Sequence, residues 1–244
     1  MRLADATWTD VRDADADLAV LPVGSTEGHG PHAPLGTDSL TAETVAEAGA
    51  DAYEEATGQS VLVAPTVPVG ISEEHRAFDG TLWVTPETFR AYVREITESL
   101  AADDGPAAIV LVNGHGGNVD ALREVAARLT RDDVARVAPF TWFEAVGEHA
   151  SDMGHAGPLE TAFLRHERAD LVREDRVEDA RENGSERWGD WVSGVNLAVD
   201  SDEFTENGVV GDPSEGDADR GEELKTLATE ALVDLLAGLR ERAG

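Results

Sequence analysis

Hydrophobic and polar positions follow two different periods along this chain. Short apolar runs bounded by turn-forming residues predict four buried strands, at 17–23, 60–65, 107–113 and 134–142. Apolar residues that recur three and four positions apart among acids predict four helices. One covers 38–55, one begins at Thr85–Pro86, one follows the third strand and ends at about 131, and one covers 158–167. This alternation predicts an α/β fold with a mainly parallel central sheet and helices on both faces.

The last third of the chain is less regular. Residues 170–215 are polar and contain several glycines, and no element is assigned to them. A final amphipathic helix is predicted over about 217–240, where leucines recur at helical spacing and would pack on the core or on another subunit. With 244 residues and no evident repeat, the chain is predicted to form one domain over 1–244.

The charge balance changes the picture of the surface. Acidic side chains number 50 and basic ones 19, for a net charge of −31, and Lys225 is the single lysine. Such a charge disfavours nucleic acid and anionic membranes as partners. Counterions near molar salt screen charges within a few ångströms, so we interpret the composition as halophilic, an adaptation to a salty cytoplasm.

Composition also limits the kinds of metal site. The chain has no cysteine, so any metal must be held by nitrogen and oxygen ligands. The longest apolar run, AAIVLV, is far shorter than the roughly 20 residues of a membrane span, and the N-terminus has no apolar targeting segment. We therefore expect a soluble, cytoplasmic protein.

Three dense polar stretches follow predicted strands. They read GSTEGHGPHAPLGTD after the first strand, NGHGGN after the third and MGHAGPLET after the fourth. In open parallel sheets, ligands bind outside the carboxyl ends of the strands. The three histidine-containing loops are therefore predicted to form one site.

The first stretch has the donors of a metal site. Glu27 and His29 are two positions apart, and Asp38 stands at the start of the next helix. Carboxylate and imidazole donors without cysteine suit Zn²⁺, Mn²⁺ or Fe²⁺, and a carboxylate can bridge two ions. The alternatives are a plain helix cap for Asp38 and a solvated loop acid for Glu27. In the second stretch His115 can reach a metal, whereas a phosphate-binding loop would need the lysine that NGHGGN lacks.

Five segments in order resemble the creatininase (creatinine amidohydrolase) family. They are PVGSTEGHGPHAPLGTD, GISEEHRAFDGTL, NGHGGN, GHAGPLET and GVVGDPSEGDADRGEEL, and the match covers roughly residues 15–240. The resemblance implies a Rossmann-like αβα sandwich, a homohexamer, and two divalent metal ions per subunit that hydrolyse a C–N bond through a metal-bound hydroxide.

The resemblance also implies roles for particular residues. Glu27, His29, Asp38 and His115 match the family's metal ligands, with Asp38 in the bridging position. His155 matches a histidine that passes a proton to the leaving nitrogen. Glu160 would complete the second metal site or act in acid–base catalysis.

Other residues are expected to contact the substrate. These are Glu74, His75, Trp142 and the backbone amides of Gly116 and Gly117. Creatininases proper tend to have Glu in place of Gly117, and this departure argues against creatinine itself as the substrate. Many members of the family have Glu in place of Pro158, so this chain lacks that acid.

The sequence thus predicts a metal-dependent hydrolase of a non-peptide amide, cyclic amide or formamide. One alternative is a formamidopyrimidine-nucleotide deformylase of flavin or deazaflavin biosynthesis, which would need a basic phosphate-binding cluster. A second alternative is a non-catalytic metal-binding assembly module. The second alternative is disfavoured, because a module without catalytic activity would have no physical reason to keep buried acids together.

Overall fold

A computed structural model describes residues 1–103 and 105–243. Its central sheet has four parallel strands in the order β2–β1–β3–β4. The strands are β1 (Leu18–Val23), β2 (Val61–Val63), β3 (Ala108–Asn113) and β4 (Arg136–Thr141). All four lie within or overlap the runs predicted from the sequence.

Helices cover both faces of the sheet. Beyond a short α1 (Trp8–Ala14), the main helices are α2 (Thr37–Thr57), α3 (Pro86–Leu100), α4 (Val119–Arg131), α5 (Trp142–Ala145), α6 (Pro158–Glu167), α7 (Val177–Glu182) and α8 (Ala218–Ala243). Helices α2, α6 and α8 pack together on one side, and α3 packs with α4 on the other. The predicted α/β fold with a parallel sheet and helices on both faces is confirmed.

The central strands are buried on both sides, which explains why their sequences are apolar throughout. In β1, Leu18 and Val20 join the core under α2 and α8, while Ala19 and Leu21 join the core under α3 and α4. Successive side chains of a strand point to opposite faces, so a strand covered on both faces has no polar side.

The structure differs from the sequence predictions in three places. Helix α1 was not predicted, because its seven residues bury no side chain and carry no apolar stripe, although Thr7 and Asp10 form a capping box at its start. Strand β4 ends one residue earlier than expected, since Trp142 begins α5. Residues 170–215 contain α7, several single turns and a hairpin of β5 (Trp191–Val192) and β6 (Val195–Asn196).

None of the helices described is long and apolar enough to cross a membrane. A single domain over 1–244 stays a prediction, and its last residue lies outside the described part of the chain.

Candidate metal centre

The carboxyl ends of β1 and β3 carry the loops that form the site. The loop after β1 is fixed by a hydrogen bond from the Glu27 amide to the Leu35 carbonyl, 2.9 Å. The Asn118 side-chain amide donates to the Gly24 carbonyl at 3.0 Å, and its oxygen accepts from the Ile71 amide at 3.0 Å. The side chain of Asn118 therefore joins three loops.

Three carboxylates lie close together in the interior. Glu27, Asp38 and Glu160 are all buried, with 0%, 1% and 4% of their surface exposed. Both carboxylate oxygens of Glu27 and one of Asp38 are buried without a hydrogen-bond partner among the described residues. Buried carboxylates without partners are costly, so this cluster needs a positive charge to be stable.

The histidines of the cluster are all held by backbone carbonyls. His115 Nε2 lies 2.7 Å from the Ile71 carbonyl, and His29 Nδ1 lies 3.2 Å from the Glu27 carbonyl. A carbonyl oxygen only accepts, so these nitrogens carry the hydrogens. The opposite nitrogens therefore present lone pairs: His115 Nδ1 lies 3.1 Å from Glu27 Oε1 and 3.3 Å from Asp38 Oδ2, and His29 Nε2 lies 3.1 Å from Asp38 Oδ1.

Lone pairs that face carboxylate oxygens repel one another unless a cation lies between them. A metal-bound histidine usually donates its other ring hydrogen to a backbone carbonyl or carboxylate, which is the arrangement at His29 and His115. Two groups of residues bring their donor atoms together: Glu27–Asp38–His115 and His29–Asp38–Glu160. Within each group, the donor atoms all lie within 4.8 Å of one another. The chemistry of these donors fits divalent metal ions, and Asp38 belongs to both groups.

The pKa shifts of His29, His115 and Asp38 arise from the close packing of these buried carboxylates and imidazoles. Burial acts to lower the pKa of His29 and of His115, but the adjacent carboxylates outweigh it and raise both pKa values well above the ordinary one. Burial acts to raise the pKa of Asp38, whereas the two imidazoles lower it. The carboxylates thus favour a positive charge at this position, whether a proton or a metal ion.

His155 and Glu160 both lie in this cluster. His155 Nε2 is 2.8 Å from the Gly28 carbonyl and Nδ1 is 3.7 Å from Glu27 Oε1, and its ring centroid is 4.3 Å from that of His29. A third donor group, Glu27–His29–His155, shares Glu27 and His29 with the two groups above. Glu160 accepts a hydrogen bond from the Ala156 amide at 2.6 Å, with its other oxygen 3.7 Å from His29 Nε2.

A cavity of about 420 Å³ opens onto these residues. Its wall includes Glu74, His75, Gly116 and Gly117, and their role in contacting the substrate stays a prediction. The remaining lining residues are Asp38, His115, Phe143, Met153, Gly154, His155, Glu160 and Trp188. No arginine or lysine of the described chain is among them, so the cavity offers no basic cluster for a phosphate.

Trp142 does not lie where the sequence suggested. Its side chain is fully buried in the hydrophobic core, with ring centroids 5.7 Å from Phe143 and 5.1 Å from Phe163. As the first residue of α5 it packs toward α6, and the next residue, Phe143, lines the cavity instead.

The sequence reasoning overlooked two residues near the site. His32 is fully buried, and its Nε2 lies 2.9 Å from Thr161 Oγ1. Burial lowers the pKa of His32 to about 4. Trp188 lies in the segment without predicted elements, and its spacing carried no signal that it would line the cavity.

Comparisons with known proteins relate this chain to creatininases. The family model described as creatininase, creatinine amidohydrolase, matches residues 4–236. A mycofactocin precursor peptide peptidase of Mycobacterium ulcerans is 37% identical over 70% of this chain, and one of Mycolicibacterium smegmatis is 35% identical over 85% of it. A creatinine amidohydrolase of Pseudomonas putida is 28% identical over 72% of this chain and 75% of its own length. The chain spans 64% of the length of the M. ulcerans protein and 79% of that of the M. smegmatis protein.

Solved structures share the fold over nearly the whole chain. A provisionally named creatinine amidohydrolase of Bacteroides fragilis superposes with a TM-score of 0.81 at 24% identity, covering 98% of this chain and 96% of its own. A creatininase variant of Zn–Zn type has a TM-score of 0.77 at 22% identity and covers 97% of both chains. Since the family model spans most of the sequence, the chain belongs to the creatininase family of hydrolases.

Proposed function

We propose that this protein is a metal-dependent hydrolase that cleaves an amide-type C–N bond with two divalent ions. The observation that carries the proposal is the set of buried carboxylates without partners, faced by the free ring nitrogens of His29 and His115. Glu27, Asp38 and His115 would hold one ion, and His29, Asp38 and Glu160 the other. Zn²⁺, Mn²⁺ and Fe²⁺ suit these donors.

When bound, the two ions would polarise the substrate carbonyl and lower the pKa of water to about 7. Residues of the chain itself would transfer the proton and orient the substrate. His155 Nδ1 accepts the proton of the attacking water, while its Nε2–H keeps donating a hydrogen bond to the Gly28 carbonyl. His155 Nδ1 then passes that proton to the departing nitrogen. The backbone amides of Gly116 and Gly117, in the cavity wall, orient the carbonyl oxygen.

The substrate we favour is a small amide, cyclic amide or formamide rather than a phosphorylated compound. The cavity of about 420 Å³ suits a small molecule, and no arginine or lysine of the described residues lines it. The family description, creatinine amidohydrolase, supports C–N hydrolysis.

A peptide amide is the second candidate. The identity with the two mycobacterial peptidases, 37% and 35%, exceeds that with the Pseudomonas creatinine amidohydrolase, 28%. In addition, Gly117 replaces the acid that is typical of creatininases proper. Incubation with creatinine, formamide and a synthetic peptide, followed by mass spectrometry of the products, separates the two candidates.

Metal dependence tests the proposal itself. A chelator should abolish hydrolysis, and Zn²⁺ or Mn²⁺ should restore it. Because Asp38 belongs to both donor groups and His115 to one, Asp38→Asn should lose both ions and His115→Ala mainly one. Metal analysis by mass spectrometry measures the stoichiometry.

The exposed His149, which lies in none of the donor groups, provides the control. His149→Ala should keep two ions per subunit. Full activity after complete metal removal, or two ions retained in Asp38→Asn, would exclude the proposed site.

A further inference from the structure

One buried histidine joins two of the elements that carry the proposed ligands. His32 lies in the loop after β1, three positions after His29, and its side chain is fully buried. Its Nε2 lies 2.9 Å from the hydroxyl oxygen of Thr161, a residue of α6 that is 129 positions away along the chain. Thr161 directly follows Glu160. This contact therefore links the loop of His29 to the helix of Glu160.

The direction of this hydrogen bond follows from the other contact of the hydroxyl. Thr161 Oγ1 donates a long hydrogen bond to the Ala156 carbonyl, at 3.4 Å, so its oxygen accepts the hydrogen on His32 Nε2. Burial lowers the pKa of His32 to about 4, so the ring is neutral near pH 7 and carries this single hydrogen. His32 Nδ1 is buried without a hydrogen-bond partner among the described residues. Within the described part of the chain, the ring is therefore held by Thr161 alone.

The carbonyl that Thr161 holds belongs to a residue in a strained conformation. Ala156 is fully buried and has a φ of +50°, in the left-handed region that residues other than glycine rarely adopt. Its carbonyl accepts from Thr161, and its amide donates to Glu160 Oε2 at 2.6 Å. Hydrogen bonds thus fix the peptide groups on both sides of Ala156. Such a conformation persists only where the surrounding contacts hold it.

The Ala156 amide in turn orients the carboxylate of Glu160. While Oε2 accepts from this amide, Oε1 lies 3.7 Å from His29 Nε2, in the donor group that Glu160 forms with His29 and Asp38. A rotation of the Ala156 backbone would withdraw the amide and release the carboxylate. Residues that fix the orientation of a metal ligand from behind contribute to metal affinity in this way.

We propose that His32 is a positioning residue of the metal centre. Through Thr161 it holds the backbone that orients Glu160, and so it fixes one ligand of one ion. The inference rests on the proposed function, because it assigns a role toward the same ions. Among the described residues, Glu160 belongs to one of the three donor groups, His29–Asp38–Glu160. Loss of the contact between His32 and Thr161 should therefore weaken the binding of one ion and not of the other.

Metal titration tests this role without any need for turnover. Metal-free protein is titrated with Zn²⁺ in competition with a chromophoric chelator, which gives a dissociation constant for each ion. Thr161→Val keeps the shape of the side chain and removes the hydroxyl, so it should weaken one ion about 10–100-fold and leave the other near its wild-type value. His32→Leu should do the same, and if it does not fold, the variants of Thr161 decide. Thr161→Ser and His32→Gln keep the hydroxyl and the donor, and should bind both ions as the wild type does.

Thr97 provides a matched control. It is a fully buried threonine of α3, on the other side of the sheet from α6, and its hydroxyl donates to the Val93 carbonyl at 2.8 Å. Thr97→Val should also lose unfolding free energy in urea, yet keep both dissociation constants. Unchanged dissociation constants in folded Thr161→Val would show that the contact serves stability alone, and would overturn the proposal. Fewer than two ions on the wild type would instead contradict the proposed metal centre.

Discussion

His155 can transfer a proton at only one of its two ring nitrogens. Its Nε2 hydrogen is held by the Gly28 carbonyl, so Nδ1, 3.7 Å from Glu27 Oε1, is the free position. Burial lowers the pKa of His155, which favours the neutral ring that can accept a proton. Its assignment as the proton carrier stays a prediction.

His155→Ala should keep both metal ions and reduce kcat about 10²–10⁴-fold, the usual contribution of a positioned acid–base group. The loss should be smaller for substrates whose leaving nitrogen is less basic, because such groups need less help from a proton donor. Steady-state kinetics with two amides of different leaving groups, together with metal analysis, measures both effects. Loss of an ion would instead identify His155 as a ligand through the group Glu27–His29–His155.

His32 gives the protein a dependence on pH. Burial lowers its pKa to about 4 in the folded state, while an unfolded histidine titrates near 6.5. The unfolded state therefore binds the extra proton between these values. The stability contributed by neutral His32 is complete above about pH 6.5 and is lost as the pH falls toward about 4.

His32→Gln removes this titration and keeps a hydrogen-bonding group near Thr161. Between pH 7.5 and pH 5, the wild type should lose about 2 kcal/mol more unfolding free energy than the variant, at about 1.4 kcal/mol per pH unit below 6.5. Urea unfolding at the two pH values measures the difference, with the exposed His149→Gln as the control. Equal losses in wild type and His32→Gln would show that His32 does not titrate as described.

At the scale of the element, the turn after β3 requires glycine at one of two adjacent positions. A Cβ on Gly117 would lie 2.3 Å from the Ile71 carbonyl oxygen and 2.5 Å from His115 Nε2, whereas a Cβ on Gly116 meets nothing within 4 Å. Those two atoms form the hydrogen bond that orients His115. Gly117 thus permits the backbone approach on which the orientation of His115 depends.

Gly117→Ala should therefore destabilise the protein by about 1–3 kcal/mol and weaken metal binding, while Gly116→Ala should stay within about 0.5 kcal/mol of wild type. Thermal unfolding and metal titration of the two variants measure these effects. Similar behaviour of the two alanine variants would mean that the loop shifts to accommodate the methyl group.

At the scale of the whole molecule, the net negative charge is expected to make stability depend on salt. With a net charge of −31, the acidic side chains of the surface repel one another. This repulsion acts over longer distances as salt is diluted, because the Debye length grows from about 3 Å at 1 M to about 10 Å at 0.1 M. The melting temperature should therefore fall on dilution from molar salt to about 0.1 M. Differential scanning fluorimetry across a NaCl series measures it, and an unchanged melting temperature would refute the halophilic interpretation.

The sequence by itself determined the strands, the main helices and the loops that carry the site. Apolar runs such as residues 107–113 predict buried strands because a parallel sheet is covered on both faces. The order of polar loops after strands predicted that Glu27, His29, Asp38 and His115 would meet at one edge of the sheet. These are local patterns, whose consequences follow from strand and helix geometry alone.

Only the tertiary structure decided which side chains face the cavity. Trp142 and Phe143 are adjacent aromatics, and the packing of α5 against the core buries the first and leaves the second in the cavity wall. Trp188, in a segment without periodicity, reaches the cavity through its contacts with Phe204 and His75. The direction of these side chains depends on contacts between residues far apart in the chain, which residue spacing does not encode.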